Sequence, residues 1–96
     1  MIYNNKYIKS MNNYNDIITQ LQFRLDRYKH KSNSIEYKEW QLLFHYFLIA
    51  ESETNYFKLH DILSTVSSKL NKGMCSSTFY YWRRFLQYMN DKITLN

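Results

Sequence analysis

Across 96 residues the chain holds one glycine, Gly73, and no proline. These two residue types most often stop helices and shape tight hairpin turns. A chain so poor in both has few places to interrupt a helix and lacks the usual means of pairing strands, so an all-α fold is expected. Hydrophobic residues make up 45% and aromatic residues 19% of the chain, enough bulk for one small domain to build a core. The single cysteine, Cys75, cannot close an internal disulfide, so packing must hold the fold. A mean hydropathy of −0.61 and the lack of a long apolar run argue against a membrane span. The first residues, Met1 to Lys6, are polar and lack the apolar region of a signal peptide, so a soluble cytosolic protein is expected.

Hydrophobic spacing places four helices, at about 13–30, 36–50, 56–71 and 77–91, in a single domain of residues 1–96 with a poorly defined arm at 1–12. In the first helix, Tyr14, Ile17, Ile18, Leu21, Leu25 and Tyr28 form one narrow stripe, with Asn12 or Asn13 as the cap. Phe23 falls on the opposite face, as an isolated exposed residue or as a contact to a second subunit. Ser34 caps the second helix, whose apolar residues from Trp40 to Ile49 cover almost every direction. Such a helix belongs at the centre of a domain, and His45 within it reads as a hydrogen-bonded core residue. Leu59, Ile62, Leu63, Val66 and Leu70 form the stripe of the third helix, and Gly73 follows its end, where a left-handed backbone stops helices. Residues 92–96 are too few for the hairpin of a winged-helix domain.

Charge divides by segment: residues 1–35 carry +4, residues 36–64 carry −3 and residues 65–96 carry +4. Basic ends around an acidic middle suit a polyanionic partner on one side of the molecule. Asn, Lys, Tyr and Ile are abundant and have codons rich in A and T, which points to a phage, a plasmid or an acquired island as the source.

The segment from Val66 to Arg84 carries the most functional information. Val66, Ser67 and Leu70 end one helix, Asn71 stands where a turn glycine is usual, and Lys72-Gly73 lengthens the turn. Met74 then takes an apolar position, and Ser76-Ser77-Thr78 open a second helix carrying aromatics and Arg83-Arg84. The stretch 59–88 resembles the helix-turn-helix of phage repressors and of insertion-sequence transposases, where a Ser-Thr-aromatic run ahead of Trp-Arg is familiar. The resemblance implies a helix-turn-helix unit over 56–91 whose second helix reads duplex DNA. At 100° per residue, Phe79, Trp82, Leu86 and Met89 fall on one face with Phe85 at its edge, and Ser77, Tyr80, Arg84 and Tyr88 on the other. The expected DNA-binding residues are Ser76, Ser77 and Thr78 at the helix start, Tyr80, Tyr81, Arg83 and Arg84 along it, and Lys69 and Lys72 beside it. Arg84 is the expected reader of a guanine edge. One reading helix gives little affinity, so a homodimer on two half-sites is expected, joined through the 13–30 helix or the first ten residues.

Other chemistry has less support. His30, His45, His60 and Cys75 are evenly spaced but include no close ligand pair, so no metal and no cofactor are expected. Cys75, after a basic turn and before a helix, is a mildly acidic thiol or simply a small buried side chain. No glycine-rich phosphate loop and no catalytic constellation can be assembled from the spacing, so the chain is read as not an enzyme. The alternative is a small helical protein-binding module, an inhibitor or adaptor, since Tyr, Trp and Arg also anchor protein interfaces.

Overall fold

The computed structural model describes residues 16–71 and 73–95. Among these the chain forms four α-helices and one short 3-10 turn, with no strand. Helix α1 is described over 16–27, α2 spans Ile35–Ser52, α3 Tyr56–Leu70 and α4 Ser76–Leu95. The arm at 1–12, the caps Asn12 and Asn13, and Tyr14 and Lys72 lie outside the described residues.

Local chemistry sets the helix ends. After α1 the chain tightens into the 3-10 turn Lys29–Lys31, so the first helix stops short of residue 30. Ser34 caps α2 by accepting a 3.1 Å bond from the Tyr37 amide, as its position ahead of an apolar run implies. Asn55 caps α3 in the same way, accepting from the Lys58 amide at 3.1 Å. The left-handed backbone between α3 and α4 is at Gly73, with φ +91°, while Asn71 is right-handed. The glycine that a turn needs is therefore Gly73 itself, and Asn71 does not substitute for it.

Helix α2 packs on both α3 and α4, most extensively on α4. Its buried residues are Tyr37, Trp40, Leu43, Phe47 and Ala50. The expectation of burial all round is corrected: His45, Leu48 and Ile49 are exposed. A helix in a domain this small has too few neighbours to be covered on every side, so His45 is a surface residue and not a core one. At the centre, the Phe47 ring meets Phe85 edge-on at 4.9 Å and lies 5.6 Å from Tyr88. Ile17 and Leu21 of α1, and Leu59, Ile62, Val66 and Leu70 of α3, complete the core on the stripes expected for them. Full burial of one such side chain is worth about 1.5–3 kcal/mol. Lys92 of α4 reaches the end of α2 and donates to the carbonyls of Ala50, which also accepts from the Glu53 amide, and of Glu51, the latter at 2.8 Å.

Helix α4 faces inward with a different set of residues from the one the hydrophobic pattern implied. Thr78, Tyr81, Phe85, Tyr88 and Met89 are buried, Trp82 and Leu86 are half-buried, and Phe79 is 51% exposed. The helix is turned by about 100°, one residue's worth, from the expected orientation. Both sets repeat at three and four residues. The observed one wins because a tyrosine has a large apolar body and because Thr78 has an acceptor waiting on α2.

Candidate nucleic-acid interface

That acceptor belongs to a polar cluster joining α2 to the first turn of α4. Glu39 Oε1 accepts from the Thr78 hydroxyl at 2.7 Å and from the Cys75 amide at 3.1 Å. One turn earlier on α2, Glu36 accepts from the Ser77 hydroxyl, and that oxygen in turn accepts from Trp40 Nε1 at 3.3 Å. Glu36, Glu39 and Trp40 fall together because residues three and four apart share a helix face. The amide-rich start of a helix favours negative charge, and here the protein supplies that charge itself. Ser77 and Thr78 are therefore bound internally, and Thr78 is fully buried. Neither is placed to meet a phosphate, which corrects their expected role.

Tyr81 is also withdrawn from the expected contact set. It is buried at 3% exposure, and burial raises its phenol pKa against the opposing pull of Arg24. Arg84, the expected guanine reader, lies on the flank of α4, half-buried, with its Nε buried and unbonded among the described residues. Tyr88, expected to face outward, is in the core, where burial first and Glu51 second push its phenol up to about 12. Cys75 is half-buried, and burial, then Glu39 and Glu36, push its thiol up, the opposite direction from an acidic thiol.

The residues left facing solvent form one ridge. Ser76, Phe79, Tyr80, Arg83, Gln87, Asn90 and Thr94 are all exposed, and they recur at three and four residues along α4. From Ser76 to Thr94 the ridge runs about 27 Å at 1.5 Å per residue. It carries hydroxyl, amide and guanidinium groups and no carboxylate; Asp91 lies to its side, half-buried. The Arg83 guanidinium rests 6.0 Å over the Phe79 ring. Alongside the ridge is a concavity of about 800 Å³, lined in part by Tyr80, Arg83, Arg84 and Gln87. Of the expected residues, the structure keeps Ser76, Tyr80 and Arg83 together on this ridge. Lys69 is exposed in the last turn of α3, ahead of the turn into α4. Gln87 and Asn90 join the ridge although hydrophobic spacing did not single them out. The signal that finds them is the inward stripe Thr78–Tyr81–Phe85–Tyr88, whose opposite side they occupy.

Among the described residues no His, Cys, Asp and Glu side chains gather into a metal-holding group. No described helix is long and apolar enough to cross a membrane. The class the fold defines is a small all-α domain whose last helix has one exposed polar-aromatic face among the described residues. No protein-family model, curated protein or solved structure matches the chain.

Proposed function

We propose that the protein binds double-stranded DNA through the outward ridge of α4, as a small sequence-specific regulator acting as a homodimer. The observation that supports this reading is the make-up of the ridge. A major groove about 12 Å wide admits one α-helix, and arginine, glutamine and asparagine are the side chains that pair two hydrogen bonds with a base edge. Arg83, Gln87 and Asn90 stand on successive turns of the exposed face of α4, with Asp91 half-buried at its side. The contact set is narrower than the sequence implied. Arg83 takes the guanine-reading role in place of Arg84, Tyr80 contacts a base or a phosphate, and Ser76 and Lys69 contact the backbone. A homodimer follows from affinity, since two half-sites double the contacts one helix can make. An AT-rich mobile element or acquired island remains the proposed source. Selection of bound fragments from random duplex DNA at moderate salt tests the reading. Enrichment of a recurring motif supports it, and recovery of unenriched sequence removes it.

A protein-binding role is the second reading, favoured by a separate observation. Phe57 is 75% and Tyr56 49% exposed at the start of α3, with the neighbouring rings 5.5 Å apart. Exposed aromatics of this kind anchor protein partners. Such binding changes little with added salt, whereas duplex binding falls steeply.

A further inference from the structure

A second concavity, of about 410 Å³, lies along the face of α1 beside Tyr81 of α4 and is lined by Thr19, Gln20, Phe23, Arg24, Arg27, Tyr28 and Tyr81. Its volume falls within the range of small-molecule sites, about 300–1,000 Å³. Two guanidinium groups border it, and each lies near an aromatic ring. Arg24 lies 5.3 Å over the Trp40 ring and 5.5 Å over the Tyr81 ring. Arg27 lies 5.9 Å over the Tyr28 ring. Neither forms an ion pair with a carboxylate among the described residues. Residues 1–15 contain no Asp or Glu to supply one. Phe23, on the same rim, is 68% exposed.

We propose that this concavity binds a nucleotide, its phosphate held by Arg24 and Arg27 and its base set against Phe23 and Tyr28. A guanidinium matches phosphate with paired donors in one plane, which a lysine cannot do. Aromatic faces beside arginines are the usual means of holding an unstacked base. The Trp40 and Tyr81 rings on either side of Arg24 restrict its guanidinium before any ligand arrives, which lowers the freedom lost on binding. The nucleotide has two possible sources, a free mononucleotide or a unit within a single strand. The proposal is independent of duplex reading by the α4 ridge.

Calorimetric titration of the full chain with nucleoside 5′-monophosphates, and separately with an oligothymidylate strand, tests it. Binding in the first arm identifies a free nucleotide, and binding in the second alone identifies a strand. In whichever arm binds, Arg27→Ala and Phe23→Ala should each weaken it about ten-fold. Both residues are exposed, so melting temperature should not change. Arg83→Ala should leave nucleotide binding unchanged even if it abolishes duplex binding. No binding in either arm, binding indifferent to both substitutions, or equal binding of a polyglutamate peptide would overturn the proposal.

Discussion

Glu39 of α2 accepts a 2.7 Å hydrogen bond from the hydroxyl of Thr78, a residue with no exposed surface in the first turn of α4. The same carboxylate oxygen takes the Cys75 amide, so Glu39 ties both the start of α4 and its inward face to α2. Glu39→Ala leaves a buried hydroxyl and a partly buried amide without their acceptor, at a cost of about 1–3 kcal/mol. Glu39→Gln keeps an acceptor oxygen and should lose less. Urea denaturation measures both, and unchanged stability in the alanine variant would show that the cluster does not orient the helix.

The orientation of α4 has its own test in a pair of phenylalanines. Phe85 is fully buried against Phe47, and Phe79 stands half in solvent. Phe85→Ala should cost about 3–5 kcal/mol through the cavity it leaves. Phe79→Ala should stay within about 0.5 kcal/mol, as surface changes do. Thermal melting of the two variants gives the order, and a helix turned one residue further would reverse it.

Stability should fall at alkaline pH. Burial raises the Tyr88 phenol to about 12 and raises Tyr81 as well, from the ordinary value of about 10. Between those values the folded chain holds protons that the unfolded chain releases. The contribution is therefore complete below about pH 10 and is lost as pH rises toward about 12. Lys92 acts in the opposite direction, because burial lowers its pKa despite Glu51 and Glu53, and the fold gains stability as that ammonium deprotonates. The Tyr88 shift is the large one of the three, so the decline dominates. Melting temperature followed from about pH 9 to about 12 should decline, and Tyr88→Phe should flatten the decline. A flat profile in the parent chain would contradict this assignment.

Helix number, helix type and the stripes of α1 and α3 are legible in the sequence, because single rows of aliphatic residues at helical spacing leave one solution. The same holds for Ser34 as a cap and for the turn at Gly73. Helix α4 is harder to read. Its apolar residues form two adjacent stripes, 78–81–85–88 and 79–82–86–89, and hydrophobicity alone favours the second because it counts tyrosine and threonine as polar. The deciding contacts come from Glu36, Glu39 and Trp40, about 40 residues earlier in the chain, and no local pattern encodes them. The same long-range contacts turned the hydroxyls of Ser77 and Thr78 from expected phosphate ligands into internal donors. Arg83 is legible as a candidate and Gln87 and Asn90 are not, since the outward ridge is defined by the inward one.

The most direct test of the central claim is a fluorescence anisotropy titration of a selected duplex by the parent chain and by Arg83→Ala. For the parent chain, binding should weaken steeply between about 50 and 200 mM salt, in proportion to the phosphates contacted. Arg83→Ala should lose roughly 1–3 kcal/mol on the selected sequence and much less on a scrambled one, with melting unchanged. Duplex binding that ignores salt, or that Arg83→Ala leaves intact on the selected sequence, would contradict a DNA-reading role for the α4 ridge.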